Sequence, residues 1–248
     1  EMGIPLTKNY LSRFGFPVSR LASDLSLALG SSSFSPAEMV RAYSIMANSD
    51  DPKDLYFIER IEDRNGKTIF QNPQTENKKK NIDAFPWFQT QLTEEIKPFY
   101  LLPPLSKKSL EPIDPRVTFI TKDILREALS RGSNGRKTQV LRRGDIAGKT
   151  GTTNDAISTW FSGFHNDLVS TVWVGTDDFS SLGDNEFGSS IALPTWVDFM
   201  KKALTNLPEE DWSMPKGLSY VRVDRETGQP VDENSKNSYF ELFFDEEI

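Results

Sequence analysis

The residues best suited to chemistry stand together in Gly148-Lys149-Thr150-Gly151-Thr152-Thr153. On a strand beside a cleft, Lys149, Thr150 and Thr152 would offer one ammonium and two hydroxyls to an anionic ligand. Gly151 would remove a side chain where a ligand lies against the backbone. A peptide running alongside could pair as an added strand. A backbone N–H aimed at a carbonyl oxygen would stabilise the oxyanion of acyl transfer, worth about 2.7–4 kcal/mol of barrier per donor. Read without context, the same six residues fit a strand end and turn with a surface lysine equally well. A phosphate loop does not fit, because Arg143 stands where its first glycine would be.

The motif needs neighbours to hold it, and the chain supplies them in order. Strand-like runs fall at residues 145–153, 159–164 and 168–176, and His165-Asn166-Asp167 between the last two is short enough to require antiparallel neighbours. In the third run apolar residues lie on both alternating sets, so both faces are expected to be covered. A helix is expected from Pro194, with Leu193, Trp196, Val197, Met200, Ala203 and Leu204 at helical spacing. Upstream, Ser35-Pro36-Ala37-Glu38 reads as a capping box, with Pro36 at the first helical position. Behind it Met39, Val40, Tyr43, Met46 and Ala47 share one face. Residues 56–62 and 67–70 flank Arg64-Asn65-Gly66, a hairpin signal because Asn and Gly accept positive φ. Ile120, Ile124, Leu125, Ala128 and Leu129 mark another amphipathic helix, ended by a flexible connection at residues 131–136.

Residues 71–115 are rich in proline and carry Lys78-Lys79-Lys80 without periodicity, and read as an insertion or long loop. From residue 208 the chain is polar and acidic apart from a strand-like run at 219–223. The domain reading is therefore residues 1–70 for a helical part and hairpin, 71–115 for the insert, 116–207 for the motif strands and following helix, and 208–248 for a polar tail. Helices before and after antiparallel strands make the fold class α+β, an antiparallel sheet with packed helices.

Composition narrows the function. The hydrophobic share is a modest 37%, but 17 Phe and 5 Trp supply bulky core material. A net charge of -7 argues against a nucleic-acid surface. With no Cys, thiolate nucleophiles, disulfides and Cys-bound zinc are excluded, and a single His rules out a His-rich metal site. No cofactor or metal site is expected. Absence of Cys is compatible with an oxidising periplasm. No apolar run approaches the ~20 residues of a membrane span. The first residues, Glu1-Met2-Gly3-Ile4-Pro5, lack the regions of a signal peptide and read as the middle of a longer chain, with any anchor upstream.

Several segments in order resemble the transpeptidase domain of the bifunctional class A penicillin-binding proteins. Leu27-Ala28-Leu29-Gly30-Ser31, Phe34-Ser35-Pro36-Ala37-Glu38-Met39 and Ala42-Tyr43-Ser44-Ile45-Met46-Ala47-Asn48 are similar to the helical segment after that family's second active-site motif. Asp145-Ile146-Ala147-Gly148-Lys149-Thr150-Gly151-Thr152-Thr153-Asn154 resembles its third motif. Thr159-Trp160-Phe161-Ser162-Gly163-Phe164 and Val172-Trp173-Val174-Gly175-Thr176-Asp177-Asp178 resemble the next two strands. The insert and Asn9-Tyr10-Leu11-Ser12-Arg13-Phe14-Gly15-Phe16 lean toward the 1A type of Gram-negative bacteria.

The resemblance implies a penicillin-sensitive serine D,D-transpeptidase on the periplasmic face of the inner membrane, in a parent that is also a glycosyltransferase. Its partners would be peptidoglycan stem peptides, lipid-linked precursor and β-lactams, with no nucleic acid and the membrane reached only through an upstream anchor. It also implies roles. Lys149 would supply positive charge and organise a Ser-x-Asn serine. Thr150 and Thr152 would bind the substrate carboxylate, Thr152 N–H would be an oxyanion donor, and Gly151 and Thr153 would complete the substrate-binding strand. The nucleophile of a Ser-x-x-Lys motif should precede this chain, leaving these residues alone inactive. Ser213-Met214-Pro215-Lys216 and Ser235-Lys236-Asn237 follow the motif strand and are read as chance matches, Pro215 being unsuited to the helix such a motif needs. The alternative is a non-catalytic peptidoglycan- or β-lactam-binding module of the same fold. His165 is read as a solvated turn residue, Asp177-Asp178 as a strand-end turn rather than a metal site, and Arg142 and Arg143 as surface ion-pair partners or steering charges.

Overall fold

The computed structural model describes residues 2–47, 55, 56, 58–72 and 113–248. At its centre three strands, β3 (Ala147–Thr152), β4 (Ser158–Phe164) and β5 (Val169–Gly175), form an antiparallel sheet in the order β3-β4-β5. The two-residue link Asn166-Asp167 closes β4 onto β5 through paired His165 and Leu168 backbone bonds of 2.8 and 3.4 Å. Side chains alternate across a pleated strand, so Thr159, Phe161 and Gly163 look to one face while Trp160, Ser162 and Phe164 look to the other.

Helix α5 (Ala192–Ala203) covers the first face. Leu193, Trp196, Val197 and Met200 repeat at helical spacing and are buried against Phe161 and Val172. The Phe161 and Trp196 rings lie 4.8 Å apart, both without exposure. Two aromatics buried this way each contribute on the order of 1.5–3 kcal/mol by removal from water. The close fit explains Gly163, where a Cβ would come within 2.7 Å of the Trp196 ring.

The second face carries α2 (Pro36–Ala47) and α3 (Pro115–Ser130), which meet it around Phe164 and Ala147. The capping box that opens α2 is formed: Glu38 N–H donates to Ser35 Oγ at 3.3 Å and Ser35 N–H to Glu38 Oε2 at 2.8 Å. Tyr43, Met46 and Ala47 pack on the sheet as the spacing predicts. The face is rotated from the expected one, however: Arg41, Ala42 and Ile45 are buried and Met39 and Val40 only half-buried. In α3, Phe119 and Leu129 are buried, whereas Ile124, assigned to the core from periodicity, is 58% exposed. Asp114 caps α3 through Arg116 N–H at 2.9 Å.

Other expectations need correction. The stretch read as a flexible connection, residues 131–136, lies largely within helix α4 (Gly132–Thr138). Thr138 Oγ1 ties it back to the Leu129 carbonyl at 3.3 Å, and Gly135 packs so closely that a Cβ would lie 2.1 Å from the Ser130 carbonyl. Tertiary contact overrides the low helix propensity of its glycines. The residues read as a polar tail fold into an antiparallel hairpin of β6 (Leu218–Asp224) and β7 (Ser238–Phe244). Leu218 and Leu242 are buried on Phe119 of α3, and Arg116 bridges to Glu246 at 2.7 Å over the Phe244 ring.

The upstream hairpin exists as β1 (Arg60–Glu62) and β2 (Thr68–Gln71), its first strand shorter than expected. Only Gly66 of its turn takes positive φ, at 79°, while the Asp63 carboxylate accepts the Asn65 and Lys67 N–H groups. Most of the proline-rich insert lies outside the described residues. At its margins Gln71 belongs to β2, Ile113 is buried and Pro115 opens α3. A first helix, α1 (Ile4–Ser12), precedes these elements. Among the described residues no helix is long and apolar enough to cross a membrane.

Candidate active site

The motif lies on β3, at the edge of the sheet. Thr153 N–H donates to the Ser158 carbonyl at 3.1 Å, and the register pairs Gly151 with Trp160, Lys149 with Ser162 and Ala147 with Phe164. Hydrogen-bonded pairs alternate along an antiparallel ladder, so 153, 151, 149 and 147 point their N–H and C=O groups at β4. The intervening Thr152, Thr150 and Gly148 turn theirs outward, off the sheet edge. The strand thus presents the backbone of Thr150 and Thr152 to whatever lies beside it.

Side chains divide by the same alternation. Lys149 shares the α2-side face with its partner Ser162 and is exposed, its Nζ donating to the Thr150 carbonyl at 3.1 Å. Gly151 leaves its place on that face to Trp160, whose Cβ would lie 3.2 Å from a Cβ added there. Gly148 packs inward, a Cβ being 2.7 Å from the Phe161 ring. Thr152, on the α5 side, is exposed and accepts the Gly188 N–H at 2.9 Å. Thr153 differs from its companions: its hydroxyl accepts Ser158 N–H at 2.8 Å and donates to the Ser158 carbonyl at 3.2 Å, closing the β3–β4 turn. The structure therefore brings Lys149, Thr150, Gly151 and Thr152 to one open edge and engages Thr153 locally.

Immediately before β3, charge is buried rather than displayed. Asp145 has no exposure and receives Arg143 Nε at 2.8 Å, Arg143 Nη2 at 2.6 Å and the Glu210 N–H at 2.9 Å. Arg143 also donates to the Leu207 and Pro208 carbonyls. Burial pushes the Asp145 carboxyl up, but the Arg143 and Glu210 donors and the nearby positive charge outweigh it, holding the group below the usual aspartate value. His165, expected to be solvated, is 2% exposed and part of this knot. Its Nδ1 accepts Asp167 N–H at 3.2 Å, and its Nε2 lies 3.2 Å from Asp145 Oδ2 and 3.1 Å from Arg143 Nη2. Arg143 is thus an internal strut, whereas Arg142 is exposed at φ 50°. On the facing helix, burial raises the Tyr43 phenol to about 12.

The remaining polar candidates fall away from the strand. Asp178 accepts Ser180 N–H at 3.1 Å in a turn, and among the described residues no three His, Asp or Glu side chains gather as a metal would need. Ser213 and Lys216 lie in irregular chain before β6, and Ser235 and Asn237 in the loop before β7. Sequence reasoning passed over Asp145 as a buried anchor and Gly188 as a contact to Thr152. An Arg-x-Asp pair leading into the motif signalled the first. Nothing local signalled the second, which is 36 residues from its partner.

The family model described as "Penicillin binding protein transpeptidase domain" matches residues 3–178. Penicillin-binding protein 1A of Pseudomonas aeruginosa is 34% identical over 99% of this chain and 32% of its own length. The Escherichia coli protein of the same name is 31% identical over 96% of this chain and 34% of its own. The crystal structure of penicillin-binding protein 1A from Haemophilus influenzae superposes with a TM-score of 0.75 at 31% identity, covering 98% of this chain and 36% of that one. The chain thus spans about a third of the length of these relatives. With the match to the family model, the likeness to 1A proteins and the antiparallel sheet edged by Lys149-Thr150-Gly151-Thr152, the chain belongs to the penicillin-binding protein transpeptidase family.

Proposed function

We propose that this chain supplies the substrate-binding strand and its supports to a serine D,D-transpeptidase that cross-links peptidoglycan and is acylated by β-lactams. The observation that carries this reading is the edge position of β3, with the amide of Thr152 directed outward off the sheet. A stem peptide ending in D-Ala-D-Ala pairs along that edge as an added strand. Its terminal carboxylate meets the Thr150 and Thr152 hydroxyls, with the Lys149 ammonium lending positive charge. The penultimate carbonyl then lies against Thr152 N–H.

The nucleophile is a serine outside these 248 residues. Its oxygen attacks that carbonyl, and the tetrahedral oxyanion is held by Thr152 N–H. Collapse expels D-alanine and leaves an ester, which the amine of a second stem peptide captures, regenerating the serine. A β-lactam enters the same edge, and opening of its ring leaves a longer-lived ester. These residues alone do not turn over substrate in this reading. The parent polypeptide works at the periplasmic face of the inner membrane and also carries a glycosyltransferase domain fed by lipid-linked precursor.

Fluorescent penicillin tests the proposal on the natural full-length polypeptide, with residues 1–248 alone as control. Labelling on a serine outside these residues is expected, falling on the order of 10²-fold in rate with Lys149→Ala. A folded full-length protein that takes up no penicillin would sink the catalytic reading.

A further inference from the structure

The crossing from β5 to α5, residues 176–191, is tied to the end of β3 largely through backbone groups. Gly188 N–H donates to Thr152 Oγ1 at 2.9 Å, and the Gly188 carbonyl accepts Leu193 N–H from the first turn of α5 at 2.8 Å. Ser181 Oγ donates to the Asp155 carbonyl at 2.7 Å and Leu182 N–H to the Ala156 carbonyl at 3.0 Å. From α4, Lys137 donates to the Ser189 carbonyl. Asp155, Ala156, Phe179 and Asn185 hold φ values of 58°, 50°, 56° and 65°. Such conformations cost L-residues energy and persist where surrounding contacts over-determine them.

Gly188 is required by space. A Cβ there would lie 2.6 Å from both the Gly151 and Trp160 carbonyl oxygens. These are backbone atoms of a paired ladder and have little room to yield. Trp160 turns its side chain to the opposite face and Gly151 has none, which is why the ladder is bare enough at this point for Gly188 to approach.

A threonine hydroxyl accepts through lone pairs and donates one proton. At Thr152 the Gly188 N–H engages a lone pair, and no acceptor among the described residues takes the proton. We propose that Gly188 is a positioning residue for Thr152, orienting its hydroxyl so that the proton is offered at the open edge to the carboxylate of a stem peptide or β-lactam. This rests on the transpeptidase reading above.

In the natural full-length polypeptide, Gly188→Ala is expected to lower the second-order rate of acylation by a carboxylate-bearing penicillin roughly tenfold, the worth of one well-placed hydrogen bond to a charged group. Reaction with the methyl ester of the same penicillin is expected to keep its rate, and Gly188→Ala should add nothing in a Thr152→Val background. No loss, or equal loss for acid and ester, would overturn the proposal. Hydrogen exchange at the Gly188 amide gives a second measurement that does not need Gly188 replaced. Exchange should quicken in Thr152→Val and return to normal in Thr152→Ser, and unchanged exchange in Thr152→Val overturns the contact itself. If the unsubstituted protein takes up no penicillin while Gly188 exchange responds as expected, the contact stands, but the transpeptidase reading falls and the substrate-positioning role falls with it.

Discussion

At its upstream end β3 grows out of a charged knot, in which Asp145 has no exposure and Arg143, His165 and Glu210 converge on one carboxylate. A few residues later the same strand ends in Lys149, Thr150 and Thr152, exposed or half-exposed, with Thr152 held through Gly188. The first end ties the strand to the β4–β5 turn and to the chain leaving α5. The second is left with donors facing outward. A site that must present an ammonium, two hydroxyls and an amide at fixed spacing needs a rigid support placed away from the ligand. Burying polar groups upstream lets the exposed end keep its polar groups unspent.

The largest effect is expected at the anchor. Asp145→Ala removes one partner of a buried ion pair and leaves Arg143 uncompensated, so it should destabilise the protein by about 3–5 kcal/mol in chemical denaturation. An Asp145→Ala protein as stable as the parent would mean that β3 is anchored elsewhere. Acid should undo part of the same support. Because Asp145 titrates below its ordinary value of 3.8 in the folded protein, its contribution is fully present above that value and is lost as pH falls further. A denaturation midpoint that drops with acidification below about pH 4, and drops less in Asp145→Asn, would show it. Next in size is Gly148→Ala, which forces a methyl to within 2.7 Å of the Phe161 ring and 2.8 Å of the Ser162 carbonyl. A loss of about 1–3 kcal/mol is expected by the same measurement. Smallest of all should be Lys149→Ala at the exposed end, within about 0.5 kcal/mol of the parent in stability. A large stability loss there would erase the distinction between the two ends, whatever happened to penicillin labelling.

Much of this layout was legible in the residues. The three strands, their antiparallel order and α5 follow from alternation and helical spacing, which are local and strong signals. The capping box at Ser35 and Glu38 is likewise a matter of a few adjacent side chains. Where the reading missed, a distant contact decided. Ile124 has the spacing of a core residue but faces outward, because the helix's buried face centres on Phe119 and Leu129. Residues 131–136 read as a flexible connection, but the Leu129 carbonyl and a close Ser130 approach stabilise a helix there. Of the hairpin β6–β7 the run at 219–223 reads as a strand, but its partner β7 becomes apparent only with Leu218 and Leu242 against Phe119.

For the candidate site the division is similar. By itself the sequence determined which groups stand in line, since Lys149-Thr150-Gly151-Thr152 on a strand fixes their order and spacing through the covalent chain and the period of two. Only the tertiary structure decided which of them remain open. It committed the Thr153 hydroxyl to Ser158, buried His165 beside Asp145, and placed Gly188 against Thr152 from 36 residues away. Periodicity places side chains on faces, but burial and hydrogen-bond partners depend on which distant segments pack there.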